Sequence, residues 1–227
     1  MRTSRPSYGV IQFVLAVGMS LGTIPAAGQS AASTAHESLP KLTYTRVFRG
    51  SVPEYLSISV DKNGAATYEG RKLADSPASR PLKLSATTTR RLFDLADRLD
   101  DFKSVDLESH KKVADLGWKT FTYEAGGRKS SAGFNYTLDR DARDLTDLLE
   151  KIASVEQHIT GLEFAIRYDH LGLPEELLEI QIDLANRALA DPELMVPTLE
   201  EIANNPHFLH LAQVRAHDIL QRIQNNN

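Results

Sequence analysis

Hydrophobic and polar positions alternate one by one in the first third of the chain. The alternation runs over residues 42–49 and again over residues 55–60. Successive side chains of a strand point to opposite faces, so this period of two predicts two β-strands. Asn63 and Gly64 come next, and an Asn-Gly pair favours the tight turn of a β-hairpin. We therefore predict residues 65–70 as the partner strand.

A helical period replaces the alternation between Ser85 and Phe102. The hydrophobic positions there recur at helical spacing: Leu92, Phe93, Leu95, Ala96 and Leu99. Ser85, or one of the threonines at 87–89, is placed to cap the start of this helix. Alternation returns at 119–125 and 128–136, on both sides of a Gly-Gly pair, and predicts a second hairpin. The first half is thus predicted to be an antiparallel sheet of four or five strands with one packed helix.

Beyond Thr137 the hydrophobic spacing is helical throughout. Seven positions follow one another at alternating steps of three and four: Leu145, Leu148, Ile152, Val155, Ile159, Leu162 and Ile166. This heptad seam, residues 145–166, is typical of a helix that packs against other helices. Three more helices are predicted after it, so we expect the seam to be covered within a monomeric chain. The alternative is a homodimer in which two seams form a coiled coil.

Proline and glycine divide the rest of this half. The segment 172–174 (Gly-Leu-Pro) separates the long helix from a second one at residues 175–190. A capping side chain directly before a proline is typical of a helix start. The pairs Asp191-Pro192 and Asn205-Pro206 therefore predict where the last two helices begin. Pro197 is expected to kink or shorten the helix that contains it.

These patterns together predict an α+β fold in two parts. Residues 41–138 form the sheet domain with its one helix, and residues 139–227 form a bundle of about four helices packed on it. Residues 29–40 are mostly small and polar and are predicted to be a flexible leader. With 41% hydrophobic and 25% charged residues, the chain has the composition of a folded globular protein.

The first 28 residues have the layout of a secretory signal peptide. Arg2 and Arg5 precede an uncharged apolar run, Val10–Ile24, and small residues follow at Ala26 and Gly28. The run is shorter than the roughly twenty residues that a membrane-spanning helix needs. We therefore expect cleavage near Gly28 and a periplasmic or secreted protein with no stable membrane insertion afterwards. An uncleaved membrane anchor is the alternative.

Composition and charge narrow the chemistry. The chain contains no cysteine, which excludes disulfides, thiolate nucleophiles, Cys-ligated zinc and a lipid anchor on cysteine. Residues 29–138 carry 17 Lys and Arg against 13 Asp and Glu, whereas residues 139–227 carry 7 against 17. Binding of nucleic acid needs a basic surface, and the acidic half has no basic stripe. We therefore expect no nucleic-acid partner.

The motifs and histidines do not indicate a cofactor or a metal. The sequence has no His-Glu-x-x-His, no phosphate-binding Gly-x-x-x-x-Gly-Lys-Ser/Thr and no Gly-x-Gly-x-x-Gly. Three histidines, His207, His210 and His217, fall within an arc of about 80° on the last predicted helix. Its hydrophobic positions centre on the opposite side, so we expect these histidines in solvent, with a shared metal as the alternative. No catalytic residue, metal or cofactor is predicted.

One segment of the sheet half has a family likeness. The residues are Gly50–Tyr55 (GSVPEY), the strand after them, Gly64, and Tyr68–Gly70 (YEG). They resemble the opening of a widespread class of uncharacterised exported bacterial domains, whose pattern runs Gly-x-Cys-Pro-x-Tyr, a strand, Asp-Gly and Tyr-x-Gly. The resemblance implies a fold and export, and it implies no activity. Val52 stands where that pattern has cysteine, so no thiol role carries over.

The loop between the first helix and the second hairpin collects groups that acid-base chemistry or ligand capture can use. They are Asp106, Glu108, His110, Lys111, Lys112, Asp115 and the only tryptophan, Trp118. Asn135 and Tyr136, at the end of the hairpin, are placed to approach this loop. Mixed charge at this density is also typical of an exposed loop. The candidate binding residues are Tyr55, His110, Lys111, Lys112, Asp115 and Trp118.

Two functions are compatible with these features. The first is a non-enzymatic exported module that binds a protein, a peptide or an envelope component through an open sheet edge or a groove between the sheet and the acidic helices. It predicts an exposed apolar or strand-edge patch and no cluster of converging polar groups. The second is a small metal-independent enzyme built on the His110 loop. It requires a deep pocket in which His110 meets a carboxylate within hydrogen-bond distance and has a shifted pKa.

Overall fold

Residues 39–225 are described by the computed structural model. The predicted signal peptide, residues 1–28, lies outside the described residues, and so does the predicted leader up to residue 38. Within the described part, no helix combines the length and the apolar character that crossing a membrane requires.

Six strands form one antiparallel sheet, as the alternation predicts for five of them. The strands are β1 Lys41–Val47, β2 Tyr55–Asp61, β3 Ala65–Arg71, β4 Arg80–Lys83, β5 Trp118–Ala125 and β6 Arg128–Phe134. Their order across the sheet is β4-β3-β2-β1-β5-β6. The sequence did not predict β4, because four residues are too few to show a period. Pro81, which lacks an N–H, fits in β4 because this strand is an edge.

The Asn-Gly turn of the first hairpin is confirmed. Gly64 has φ +79°, which favours glycine, and the carboxylate of Asp61 accepts the backbone N–H groups of Asn63 and Ala65. A side chain at Gly64 would also lie 2.7 Å from Thr89 Oγ1 and 2.9 Å from the carbonyl oxygen of Leu84. The turn is therefore packed against the start of the helix as well as closing the hairpin.

Five α-helices complete the chain and confirm the α+β class. They are α1 Ala86–Arg98, α2 Arg140–Tyr168, α3 Leu173–Ala185, α4 Val196–Asn204 and α5 His210–Asn225. Ser85 caps α1 as predicted, since its side chain accepts the N–H of Thr88. Short 3-10 turns follow α1, at Asp100–Phe102, and precede α4, at Pro192–Met195.

The start predicted at Asp191-Pro192 is confirmed, because the 3-10 turn that leads into α4 begins at Pro192. The start predicted at Asn205-Pro206 is wrong by four residues. Asp191 has φ +54° and does not cap its own helix; its carboxylate instead accepts Ser85 N at 2.6 Å and both side-chain hydroxyls of Ser85 and Thr88. Pro197 lies in the first turn of α4, so the segment predicted as one helix is divided into a 3-10 turn and an α-helix. Asn205 has extended backbone, and α5 begins only at His210. The Asp191-Pro192 pair thus marked the correct boundary, although the Asp191 side chain makes no capping bond to its own helix. The Asn205 side chain accepts the N–H of His207 in a turn that precedes α5.

Helix α2 contributes to both hydrophobic cores of the molecule. Its N-terminal part, through Ala153, packs with α1 on one face of the sheet, and from Val155 onwards it packs with α3, α4 and α5. The heptad seam is buried within the chain at every position except Ile166, which is half-buried. The seam is therefore used inside the chain, as the predicted bundle of about four helices requires.

The sheet side of the core is centred on Phe121 of β5. Its ring lies 5.6 Å from that of Tyr44, 5.2 Å from that of Phe102 and 5.4 Å from that of Phe134, measured between ring centroids. All four side chains are buried. These aromatic contacts connect three strands and the turn after α1, so they hold the sheet to its helical layer.

Replacing Phe121 with alanine is expected to lower the free energy of unfolding by about 3–5 kcal/mol, because the fully buried ring leaves a cavity among three others. Phe164→Ala is the matched control. This ring on α2 is 60% exposed, and its loss is expected to cost less than about 1 kcal/mol. Urea denaturation followed by circular dichroism measures both variants. Equal losses for the two would contradict the packing described here.

Candidate functional site

The loop that the sequence singled out does bring His110 to a carboxylate. His110 Nε2 lies 2.8 Å from Asp106 Oδ2, and this hydrogen bond raises the pKa of His110 above its ordinary value. Both side chains are exposed, at 72% and 70%. The pair is thus formed in solvent. The well-formed clefts in the part of the chain that the structure describes are lined by other segments.

Other polar groups in and beside this loop make hydrogen bonds that fix its backbone. Asp115 accepts the N–H of Gly117, while Lys111 and Lys112 are exposed. Asn135 bridges the loop from the end of β6, because its side chain accepts Leu116 N at 2.8 Å and donates to the carbonyl of Ala114 at 2.9 Å. Asn135 thus approaches the loop, as the sequence suggested. These contacts attach the loop to the end of the sheet.

Two further side chains, those of Glu108 and Lys119, hold the same loop by hydrogen bonds to backbone groups. Glu108 Oε2 accepts the N–H of Asn135 at 2.7 Å, and this bond lowers the pKa of Glu108. Lys119 donates from Nζ to three backbone carbonyls, those of Leu116, Gly117 and Asn135. Burial lowers the pKa of Lys119. The ammonium group is therefore committed to the loop backbone.

The three clustered histidines lie in solvent, as expected. His207 precedes α5, and His210 and His217 lie on it; all three are exposed. Across residues 39–225 no group of three or more His, Cys, Asp or Glu side chains is arranged to hold a metal ion.

The surface that stands out is the face of the sheet opposite α1 and α2. We call it the open face, because its residues belong to neither hydrophobic core. Its central side chains are hydroxyls: Thr43, Thr45, Ser57, Ser59, Thr67, Thr120, Thr122 and Ser131. Strand register places five of them in one continuous row, Thr67–Ser59–Thr43–Thr122–Ser131, and three in the next, Ser57–Thr45–Thr120. We call these two lines the hydroxyl rows.

A third row at the end of the open face is aromatic. Register aligns Arg71, Tyr55, Val47 and Trp118 across four neighbouring strands. We call this line the aromatic row. It brings together Tyr55 and Trp118, two of the predicted binding residues that lie 63 positions apart in the sequence. The other four, His110, Lys111, Lys112 and Asp115, are in the loop and are not part of the row.

Both aromatic rings of this row are fixed by their neighbours. The Arg71 guanidinium lies 4.4 Å from the ring centroid of Tyr55, and Arg71 Nε donates to Glu69 at 2.6 Å. The indole of Trp118 lies over Gly133 of β6, where an added Cβ would come within 3.0 Å of Nε1. Trp118 is nevertheless 52% exposed. A large apolar ring is thus held against the sheet and left accessible to a ligand.

Sequence reasoning missed Val47, Arg71 and the hydroxyl rows. The signal was present, because Thr43 and Thr45, Ser57 and Ser59, and Thr120 and Thr122 are all spaced by two within predicted strands. Residues at that spacing share a face. The sequence did not give the register between strands, which aligns the pairs of β1, β2 and β5 with one another.

Sequence reasoning also missed a layer of charge between α2 and the covered face of the sheet. Glu150 of α2 accepts hydrogen bonds from the hydroxyl of Tyr44 and from Arg46 Nη1, the latter at 2.7 Å. Thirteen residues further along α2, Glu163 accepts hydrogen bonds from both Nη groups of Arg80, one of them at 2.9 Å. These bonds are directional and charge-assisted, so they position α2 over particular strands.

Glu156 lies between these two pairs and is poorly satisfied. Its side chain is 2% exposed, and within the described residues its Oε2 has no hydrogen-bond partner. The nearest cation is Arg80, with Nε at 3.8 Å, but that guanidinium is already bound to Glu163. Burial raises the pKa of Glu156, and burial likewise raises the pKa of the neighbouring Tyr68 to about 12. This layer is structural, since its charged groups are bonded to one another across the contact between α2 and the sheet.

Comparisons with known proteins add no assignment: no protein-family model matches the chain, and no curated protein matches it.

Glu156→Gln is expected to stabilise the protein at neutral pH by about 1 kcal/mol, because glutamine keeps the shape and removes an underpaired buried charge. The pKa of Glu156 is raised in the folded state, so its favourable contribution is present below its ordinary pKa and is lost as pH rises through the folded-state pKa. The substitution should therefore raise the free energy of unfolding more at pH 7.5 than at pH 4.5, as measured by urea denaturation.

Glu163→Gln is the matched control for this effect. It breaks the two-bond pair with Arg80 and should destabilise the protein at pH 7.5. A Glu156→Gln variant that is destabilised equally at both pH values would show that Glu156 is ionised and well paired.

Proposed function

We propose that this protein is a non-enzymatic binding module of the bacterial cell envelope that binds its partner on the open face of the sheet. The observation that carries the proposal is the aromatic row: Tyr55, Val47 and Trp118 lie side by side at one end of a face that no core residue occupies. The envelope location rests on the signal-peptide pattern of residues 1–28 and on the resemblance to exported domains.

An accessible tryptophan on a rigid strand is informative about binding. Trp and Tyr are enriched among the residues that contribute most to binding energy, since they bury a large area at little cost in conformational entropy. Trp118 is held over Gly133 and Tyr55 under Arg71, so neither ring needs to be ordered on binding. Preorganised rings of this kind favour affinity.

The other surfaces considered for binding offer less. Of the two edge strands, β4 has four residues, one of which is Pro81, so it presents few backbone groups to an added strand. The other edge strand, β6, has seven residues and is tied to the 3-10 turn after α1 by the bond from the Ser130 hydroxyl to the carbonyl of Asp101. Side chains of α1 and α2 fill the core between the sheet and these helices. In the cleft where the start of α1 meets residues 191–194, the Asp191 carboxylate is already bound to Ser85 and Thr88. The open face is therefore the better-supported surface for a partner.

A small metal-independent enzyme that uses the His110 loop is the second candidate. The 2.8 Å contact between His110 and Asp106, and the raised pKa of His110, favour it. Acid-base catalysis is most effective where water is excluded from the reacting groups, and both of these side chains are mostly in solvent. This candidate has less support than the binding module for that reason.

Trp118→Ala is expected to remove most of the binding to a cell-envelope extract. Truncating a central aromatic side chain typically costs 2 kcal/mol or more, or about thirtyfold in affinity. The measurement is retention of extract components on immobilised protein of residues 29–227, with folding checked by circular dichroism. Tyr55→Ala should weaken retention as well.

Two variants serve as controls for this experiment. Phe164→Ala removes a somewhat more exposed aromatic ring from α2, and His110→Ala removes the imidazole of the loop; both should leave retention unchanged. Loss of retention in His110→Ala with no effect of Trp118→Ala would refute the open face as the binding surface.

A further inference from the structure

We infer that the ligand of the open face is an uncharged glycan chain that lies across the strands along the hydroxyl rows and stacks one sugar ring on Trp118. This inference rests on the proposed function and names the class of ligand. It draws on the shape of the face, its hydrogen-bonding groups, its charge and the placement of the indole.

The shape favours an extended ligand. The open face is a surface of parallel rows, and of the residues in the two hydroxyl rows only Ser131 lines one of the better-formed clefts of residues 39–225. Five strands carry the longer hydroxyl row, which at about 4.8 Å per strand is about 19 Å long. Neighbouring rows are about 7 Å apart. A ligand that uses these groups must therefore be a flat chain of several units.

The hydrogen-bonding groups match a polyhydroxylated chain. Each serine or threonine hydroxyl both donates and accepts, as sugar hydroxyls do. The one hydrogen bond found among the eight hydroxyls of the open face joins Thr43 and Ser59, at 3.0 Å. Such a surface can replace its hydrogen bonds to water with hydrogen bonds to sugar hydroxyls, as donor or as acceptor. A peptide chain in the same place would leave its side chains over a polar surface with little to bury.

The charges of the open face are balanced, which argues for a neutral ligand. The row beside the longer hydroxyl row alternates in sign, as Asp61, Lys41, Glu124 and Lys129. The two hydroxyl rows contain no charged side chain, and where the second row reaches β3 the residue is Glu69, which is paired with Arg71. A polyanion such as a nucleic acid or a charged glycan would find no cluster of free cations along these rows. The complementarity is therefore between uncharged polar groups.

The indole supplies the apolar contact that a sugar ring needs. Trp118 lies over Gly133, and Gly133 stands opposite Thr120 in the second hydroxyl row. A chain that runs over Ser57, Thr45 and Thr120 therefore reaches the indole at its β6 end. The flat C–H face of a pyranose stacks on an aromatic ring while its hydroxyls point outward, so one ring can use both features at once.

Trp118 is the only tryptophan, so its fluorescence reports on this site directly. Soluble oligomers of N-acetylglucosamine and of glucose, from dimer to hexamer, are titrated into the full mature protein. We expect a change in emission, protection from acrylamide quenching, and an affinity that rises by about tenfold from dimer to hexamer as more hydroxyls are engaged. A charged oligogalacturonate and a Gly-Ser peptide are the comparison ligands.

Substitutions of the hydroxyls test the placement of the chain. Thr45→Val and Thr120→Val keep the branched shape and should each weaken binding by about three- to tenfold. Thr87→Val, an exposed threonine at the start of α1, is the matched control and should have no effect. Trp118→Ala removes the fluorescent reporter and is measured by calorimetry, where it should lose detectable binding.

Failure of the ligand class and failure of the proposed function give different results. If both neutral oligomer series fail, or if the charged oligomer or the peptide binds as well as they do, the glycan is the wrong class. Retention of an envelope component that still depends on Trp118 would then leave the binding face intact. If Trp118→Ala changes neither glycan binding nor retention, both proposals are overturned.

Discussion

The packing of α2 is the constraint on which the rest of the structure depends. A helix of 29 residues is about 43 Å long, more than one small core can cover. Its first part is buried against the sheet and α1, and its second part is buried among α3, α4 and α5. The sheet and the bundle therefore share one element. A cysteine-free chain has only such burial to hold it together, and the shared helix lets each core support the other.

The ionic contacts under α2 add direction to that packing. Hydrophobic burial alone allows a helix to slide or rotate, since it is not directional. Glu150 with Tyr44 and Arg46, and Glu163 with Arg80, fix the helix against β1 and β4. Glu156 shows the cost of this arrangement. Its carboxylate is buried on the same side of the helix, and the nearby guanidinium of Arg80 is already hydrogen-bonded to Glu163. A second long-range contact comes from Asp191, whose carboxylate accepts hydrogen bonds from Ser85, the residue that caps α1, and from the hydroxyl of Thr88.

Because both α1 and α2 lie on one side, no helix of residues 39–225 packs on the other side of the sheet. An antiparallel sheet tolerates this, since one face can be covered and the other solvated. Serine and threonine are suited to such a face because they are compatible with strands and with water. Their alignment in rows, with an aromatic row at one end, goes beyond what solvation needs. In the proposed function the sheet presents this face to the ligand, and the helical layer supplies the rigidity that keeps the rows in register.

The sequence by itself determined the fold class, five of the six strands, the first hairpin turn and the burial of the heptad seam. These follow from local rules: a period of two, a period near 3.6, and the backbone freedom of an Asn-Gly pair. Tyr55 and Trp118 were chosen as separate residues from the same sequence. Only the tertiary structure decided that they share a row, that β4 forms an edge, and that Glu156 is buried. It also decided that Asp191 binds Ser85, the capping residue of a helix more than 100 residues away. Each of these depends on register or on contacts between distant segments, and no local pattern carries information about which distant segments meet.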